Sequence, residues 1–241
     1  TDALDRLGTR LIAIDRPGLG RSDPAPERTL LDGAADVRAI AAELSLDRPA
    51  IVGFSQGAPL ALACGAAKVV SAVALVSGTD ELAAPALRSV LPPPLLAHIE
   101  MAATDPAGLE TMFRGMTADS MMQMITAAPE VDQVIYRDAA FVEAFTAALH
   151  EGLGQGPGGF VRDALLVLQQ WPFDPSTIEV PVHLWYGGLD ASLFHSPDLG
   201  ATLAHRIRRS TRTVIENAGG AILWTHGAEI LAALLEARRR G

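Results

Sequence analysis

The sequence contains 241 residues, of which 49% are hydrophobic and 20% charged, and its formal net charge is −9. This acidic balance argues against broad contact with phosphate backbones, so nucleic acid is excluded as a partner. No apolar run approaches the roughly 18 residues that a membrane-spanning helix needs, and no signal peptide opens the chain. We therefore expect a cytoplasmic globular protein with one sizeable core and no membrane partner.

Short apolar runs alternate with helical patterns along most of the chain. This order predicts parallel strands joined by crossover helices, and hence an α/β fold with a mostly parallel sheet. Near-continuous apolar character is typical of strands that are covered on both faces. In chain order, the predicted strands are residues 10–15, 49–54, 72–76, 181–187 and 212–216.

The stretch of residues 80–170 interrupts this alternation. It begins with several prolines and continues through helical patterns without a convincing strand. Helices inserted between two strands of a sheet are typical of a cap over the strand ends. The sequence therefore predicts an all-helical cap at residues 80–170, and a core formed by residues 1–79 and 171–241.

Cys64 is the only cysteine, so an intramolecular disulfide cannot form. It lies in ALALACGAA, an apolar segment that is typical of a buried helix. We predict that this thiol is a small buried side chain rather than a reactive group.

The segment GFSQG carries the strongest chemical signal, because a predicted strand precedes it and a predicted helix follows it. A Gly-x-Ser-x-Gly sequence in this context predicts a sharp strand-to-helix turn that lifts the hydroxyl of Ser55 above the strand end. Side chains at the flanking positions, Gly53 and Gly57, would clash in such a bend. The following helix start points free N–H groups at the serine, and the backbone N–H of Gln56 is a candidate oxyanion donor.

Two further segments belong to the same edge of the predicted sheet. Residues 15–22 (DRPGLGRS) form a glycine- and proline-rich turn after a strand, and Asp190 follows the strand at residues 181–187. A carboxylate at position 190 can orient and charge-stabilise a catalytic imidazole. Asp80, after the strand at residues 72–76, is an alternative acid, although Asp190 fits the expected position better.

Together these segments resemble the α/β-hydrolase superfamily, especially its capped esterase, perhydrolase and peptidase-like branch. The resemblance extends over nearly the whole chain, through LIAIDRPGLGRSDP, IVGFSQGAPLAL, the helical cap, IEVPVHLWYGGLD and TVIENAGGAILWTH. It implies that Ser55 is the nucleophile, Asp190 the triad acid and Gln56 an oxyanion donor. Reactions in these branches begin with attack of the serine on a carbonyl, which gives an acyl-enzyme.

The chain departs from the family pattern at the triad histidine. The family carries this histidine in the loop after the last strand, where Gly220 stands here. Without the base, Ser55 would be a weak nucleophile and activity would be impaired. His195 is a conceivable substitute because it lies in a loop on the correct edge of the sheet. Structural roles are nevertheless the stronger expectation for the histidines, which are His98, His150, His183, His195, His205 and His226.

A second departure concerns the front of the sheet. In the family, the other oxyanion donor comes from a His-Gly loop after an earlier strand. The sequence begins at Thr1 and does not include such a segment. We therefore expect the N-terminal strands and this loop to be missing from the given sequence.

The leading prediction is a serine hydrolase that acts through Ser55 on a small, largely apolar ester, lactone or amide beneath the cap. The alternative is a catalytically silent, hydrolase-like protein that binds a small ligand. An epoxide or carbon–halogen hydrolase would use an aspartate at the elbow, so Ser55 argues against that class. No cofactor or metal is expected, because histidines and carboxylates do not cluster at ligand spacing.

Overall fold

The computed structural model describes residues 2–240, and at its centre lies a four-stranded sheet in which all neighbouring strands are parallel. The strand order is β1-β2-β3-β4, the same as the order along the chain. Because the strands are parallel, the carboxyl ends of β1, β2 and β3 lie side by side at one edge. The strands are β1 (Ala50–Phe54), β2 (Ala72–Val76), β3 (Val182–Gly187) and β4 (Ser210–Ile215).

Helices connect and flank these strands, as the alternating sequence pattern predicts. The helices before β3 are α1 (Asp2–Arg6), α2 (Leu30–Glu43), α3 (Ala58–Ala66), α4 (Pro93–Thr104), α5 (Pro106–Phe113), α6 (Ala118–Thr126), α7 (Gln133–Tyr136), α8 (Ala139–Gly152) and α9 (Gly158–Leu168). Those after β3 are α10 (Ala201–Arg206), α11 (Ile222–Thr225) and α12 (Gly227–Arg240).

Both faces of the sheet are covered by helices. On one face Val73 and Leu75 of β2 pack with Leu62 of α3 and with side chains of α2 and α10. On the other face Ala74 and Val76 pack with Ile230 and other side chains of α11 and α12. All residues of β2 are therefore buried, which explains its uninterrupted apolar sequence.

The chain between β2 and β3 contains α4 to α9 and, within the described residues, no strand. We call the part from α4 to α9 (residues 93–168) the helical insertion. It has a hydrophobic cluster of its own, in which Leu95, Leu109 and Leu165 are buried. This helical content agrees with the prediction for residues 80–170, whereas the division of the chain into a core and a cap remains a prediction.

The prediction of a strand at residues 10–15 is wrong. This segment has no regular secondary structure and exchanges no ladder hydrogen bonds with any described strand, and β1 pairs only with β2. A strand needs a neighbour to satisfy its backbone groups, and apolar sequence alone cannot supply one. Leu11 is 63% exposed and Ile14 is 41% exposed, so these side chains lie outside the core.

Cys64 lies in α3 and is fully buried, as predicted. Burial raises the pKa of its thiol to about 12, because the thiolate would be poorly solvated there. The thiol is therefore protonated and unreactive at neutral pH. Within residues 2–240, no helix combines the length and the apolar composition needed to cross a bilayer.

Candidate active site

Ser55 occupies a sharp turn between β1 and α3. Its backbone has a φ of 49°, in the left-handed region that residues other than glycine rarely adopt. A single 3₁₀ turn, Ser55–Gly57, leads directly into α3. The local geometry is that of a nucleophile elbow, in which backbone strain is held in place by the surrounding strand and helix.

The two glycines of the elbow differ in their surroundings. A Cβ atom added at Gly53 would lie 2.7 Å from the carbonyl oxygen of Gly57 and 2.9 Å from Cα of Ala58. A Cβ added at Gly57 would meet nothing within 4 Å. The expectation that both flanking positions exclude a side chain is therefore correct for Gly53 and wrong for Gly57, because the bend brings α3 over Gly53 alone.

A histidine connects Ser55 with Asp190. His195 Nε2 lies 3.0 Å from Ser55 Oγ, and His195 Nδ1 lies 2.6 Å from Asp190 Oδ2. The side chains of His195 and Asp190 are 11% and 3% exposed, so the pair is shielded from water. Hydrogen-bond distances thus connect Ser55, His195 and Asp190 in the order hydroxyl, imidazole and carboxylate, an arrangement that acyl-transfer enzymes use.

The sequence indicated His195 only as a conceivable substitute for the family histidine, with a structural role as the stronger expectation. The residue lies in the loop after β3, five positions beyond Asp190, whereas the family pattern directs attention to the loop after β4. The available signal was the position of Asp190 and His195 in one loop at the carboxyl end of a strand. Parallel pairing of β1, β2 and β3 then brings that loop to the same edge as Ser55.

Gly220, where the family histidine is expected, also lies beside the carboxylate of Asp190. A Cβ atom at Gly220 would be 3.0 Å from Asp190 Oδ1. The backbone N–H groups of Gly220 and Ala221 donate to the two carboxylate oxygens of Asp132, at 3.0 Å and 3.1 Å. Asp132 belongs to the segment just before α7, so the helical insertion contacts the loop after β4 at this point.

Asp132 is buried and lies near the charges of the site. Burial raises the pKa of the Asp132 carboxyl, and the charge of Asp190 raises it further. The N–H groups of Gly220 and Ala221 and the nearby His195 oppose this rise. Asp132 therefore adds a second acidic group close to the imidazole without contacting Ser55.

Asp80, the alternative acid, follows β2 and is fully buried. Its carboxylate lies 3.2 Å from the hydroxyl of Ser196 and accepts the N–H of Glu81 at 2.7 Å. Burial raises the pKa of Asp80 to about 6. The carboxylate that His195 contacts is that of Asp190 and not that of Asp80.

Gln56 follows Ser55 in the 3₁₀ turn that precedes α3. Backbone N–H groups at the start of a helix lack intrahelical partners, and they carry the positive end of the helix dipole. Gln56 thus lies next to Ser55 at the start of this helical turn, and its role as an oxyanion donor remains a prediction.

A series of aromatic contacts leads from His195 to α8. The ring of Phe54 lies 6.4 Å from the imidazole and 5.6 Å from the ring of Trp224. Trp224 in turn contacts Phe141 and Phe145 of the helical insertion, with ring centroids 5.4 Å and 6.2 Å apart. Edge-on contacts of this kind form a largely apolar wall between the histidine and α8.

The other histidines lie outside this hydrogen-bonded set. His98 packs against Phe113, and His150 lies 3.4 Å from Asp119 on the helical insertion. His226 contacts the hydroxyl of its neighbour Thr225. Among residues 2–240, no group of three or more histidine, cysteine or acidic side chains could hold a metal ion.

A sequence profile described as the alpha/beta hydrolase family matches residues 2–233. A search of curated proteins gave no significant match.

Solved structures of similar fold include several hydrolases. An esterase from Thermogutta terrifontis is 19% identical with a TM-score of 0.68, and the match covers 99% of this chain and 83% of that one. A probable hydrolytic enzyme from Pseudomonas aeruginosa is 20% identical with a TM-score of 0.67 and coverages of 98% and 78%. An esterase from Exiguobacterium antarcticum is 18% identical, with a TM-score of 0.66 and coverages of 98% and 85%. At these identities the likeness shows the fold.

Proposed function

Because the chain belongs to the alpha/beta hydrolase family, we propose that it is a serine hydrolase whose catalytic triad is Ser55, His195 and Asp190. The observation that carries this proposal is the position of the imidazole, with Nε2 3.0 Å from Ser55 Oγ and Nδ1 2.6 Å from Asp190 Oδ2. The esterases among the proteins of similar fold are consistent with it.

The hydrogen bonds assign a role to each atom. An ionised carboxylate can only accept, so Nδ1–H of His195 donates to Asp190 and Nε2 is left to accept the hydroxyl proton of Ser55. When Ser55 attacks a carbonyl carbon, its proton passes to Nε2, and Asp190 stabilises the imidazolium. The imidazolium then protonates the leaving alcohol or amine. Water, deprotonated by His195, releases the acid from the acyl-enzyme.

Gln56 would stabilise the charge that develops on the carbonyl oxygen. Its backbone N–H lies at the start of α3, where the helix dipole adds to the hydrogen bond. One such donor typically contributes about 3 kcal/mol to transition-state stabilisation. In this arrangement the base comes from the loop after β3, so Gly220 does not impair the proposed reaction.

The surroundings of the triad favour a small, largely apolar substrate, namely an ester, lactone or amide. Phe54 precedes Ser55 directly and packs edge-on against Trp224, a residue that is 39% exposed. Phe141 and Phe145 extend this apolar wall into the helical insertion. An apolar acyl or alcohol group would be stabilised there by displacing water from these rings.

The test follows the release of nitrophenol from short-chain nitrophenyl esters. We expect Ser55→Ala and His195→Ala each to lower kcat by about 1,000-fold or more, because the triad acts as a unit. The control is His205→Ala, which removes an exposed histidine on α10 and should leave kcat unchanged. Thermal unfolding should show that all three variants are folded.

Two results would contradict the proposal. If His195→Ala retains the activity of the unchanged chain, another group is the base. If the unchanged chain binds apolar esters without turning them over, the catalytically silent binding protein becomes the better description.

A further inference from the structure

The turn after β2, residues 77–80, lies between the two halves of the proposed triad. β2 is the neighbour of both β1 and β3, so its carboxyl end separates the elbow that carries Ser55 from the loop that carries His195. Ser77 begins this turn with a φ of 43° and is fully buried. Strained, buried backbone persists only where the surroundings hold it in place, and it is common at functional sites.

The turn at residues 77–80 hydrogen-bonds to the backbone of Ser55 and to the loop that carries His195. The N–H of Thr79 donates to the carbonyl oxygen of Ser55 at 3.2 Å. The carbonyl oxygen of Gly78 accepts the N–H of Ser196, the residue after His195, at 3.0 Å. The same carbonyl accepts the hydroxyl of buried Tyr186 at 3.1 Å.

The Ser196 side chain adds contacts that its backbone does not make. Its hydroxyl lies 3.2 Å from Asp80 Oδ2 and 3.0 Å from Asp198 Oδ1, and it accepts the N–H of Gly200 at 2.8 Å. Ser196 and Asp80 are both almost completely buried. The Ser196 hydroxyl thus has partners both as donor and as acceptor, and buried hydrogen bonds of this kind restrict the conformation of the chain that carries them.

We propose that Ser196, together with Asp80, is a positioning residue that holds the imidazole of His195 against Ser55. The proposal rests on the triad proposed above. Neither residue contacts the reacting atoms. Both act through the loop after β3. Ser196, the residue after His195 in this loop, is hydrogen-bonded to the turn at residues 77–80, and the same turn also holds the backbone of Ser55.

The first variant is Ser196→Ala, which removes the hydroxyl and leaves the backbone bond to Gly78. A displacement of about 1 Å in the base can cost on the order of 100-fold in rate. We therefore expect kcat on nitrophenyl esters to fall by about 10- to 100-fold with little change in KM. The matched control is Ser210→Ala, which breaks a 2.7 Å hydroxyl bond to Ala204 away from the site and should leave kcat unchanged.

The same substitution in a chain that already carries His195→Ala separates positioning from general damage. If Ser196 acts through the imidazole, it should have no further effect on the residual rate, since residues that act as a unit are non-additive. An equal loss in both backgrounds would overturn the proposal, as would an unchanged kcat in Ser196→Ala alone.

Proton NMR gives a second readout that does not depend on turnover. The Nδ1–H of His195 should give a downfield signal, assigned by its loss in His195→Ala. We expect this signal to shift or broaden in Ser196→Ala and to persist in the control Ser210→Ala. Asp80→Asn should give the same change as Ser196→Ala, and it replaces that variant in the test if Ser196→Ala does not fold. An unchanged signal in both test variants would overturn the proposal. The failure of the triad itself would instead appear as full activity in His195→Ala.

Discussion

At the scale of single residues, both oxygens of the Asp190 carboxylate already have hydrogen-bond partners. Its Oδ2 contacts His195, and its Oδ1 accepts the N–H of Ser192 at 3.0 Å. A Cβ atom at Gly220 would press on Oδ1 at 3.0 Å. Adding the family histidine at position 220 would therefore disturb the existing hydrogen bonds of Asp190.

We expect Gly220→His to lower kcat on nitrophenyl esters by about 10-fold or more, because its ring would displace Asp190 from His195. Gly220→Ala is the matched control. It adds the same Cβ without a ring and should cost less. A serine-dependent gain of several orders of magnitude in Gly220→His would show instead that the site lacks a base, and the proposed role of His195 would then be wrong.

Asp80 is expected to make the stability of the protein depend on pH. Its pKa is raised to about 6 by burial, so between about pH 4 and pH 6 the folded chain holds a proton that the unfolded chain has released. The free energy of unfolding should therefore fall as pH rises through this window, by roughly 3 kcal/mol for this group. The variant Asp80→Asn lacks this titration.

The measurement is urea unfolding of the unchanged chain and Asp80→Asn from pH 4 to pH 7. Relative to that of Asp80→Asn, the free energy of unfolding of the unchanged chain should fall by roughly 3 kcal/mol from pH 4 to pH 7. Taking the difference removes the contribution of other groups, including Asp132, whose pKa is also raised. A difference that stays constant with pH would contradict the raised pKa of Asp80.

The residues of the site differ in how far sequence could identify them. Ser55 was predictable because its geometry is local, with a strand before it, a helix after it and Gly53 at the point of close approach. Asp190 followed from its place at a strand end. His195 was no more than a conceivable substitute base, because its contact with Ser55 spans 140 positions and depends on how β1, β2 and β3 align.

At the scale of elements, the junction of β1 and α3 depends on one of its two glycines. A Cβ atom at Gly53 would lie within 3 Å of backbone atoms that cannot move without bending α3. We expect Gly53→Ala to lower the free energy of unfolding by about 1–3 kcal/mol and to reduce activity, because the elbow shifts. Urea unfolding and nitrophenyl ester assays measure both effects.

Gly57→Ala is the control in the same turn. Its Cβ would meet nothing within 4 Å, and its φ of −75° suits any residue. It should leave stability unchanged or raise it by about 0.4–1 kcal/mol, because alanine restricts the unfolded chain. Equal losses in Gly53→Ala and Gly57→Ala would contradict the steric difference between the two positions.

The sheet shows what apolar patterning can and cannot predict. β1 to β4 lie within a residue or two of their predicted positions, because each run is bounded by polar or turn residues and pairs with a neighbour. Residues 10–15 have a similar pattern but no ladder partner among the described strands. A β-strand forms only where a neighbouring strand pairs with it, so an apolar pattern in one segment is not sufficient to predict a strand.

At the scale of the whole molecule, a buried ion pair fixes the helical insertion to the segment that follows residue 15. Asp163 of α9 contacts the guanidinium of Arg28 and lies 2.7 Å from Nε of Arg16. The side chains of Asp163 and Arg28 are each only 7% exposed. Neutralising the carboxylate would leave a buried guanidinium without its counter-charge, which is far more costly than losing a pair in water.

We expect Asp163→Asn to lower the free energy of unfolding by about 3 kcal/mol, measured by urea unfolding at neutral pH. The matched control is Glu100→Gln, which neutralises a partner of Arg88 in an ion pair of similar length, 2.8 Å, whose side chains are both more than half exposed. Solvent screens such a pair, so its loss should cost less than about 1 kcal/mol. If the two variants unfold at the same urea concentration, the buried pair does not hold the helical insertion in place. The contacts of the insertion with Trp224 and with the backbone of Gly220 and Ala221 would then be its main attachment.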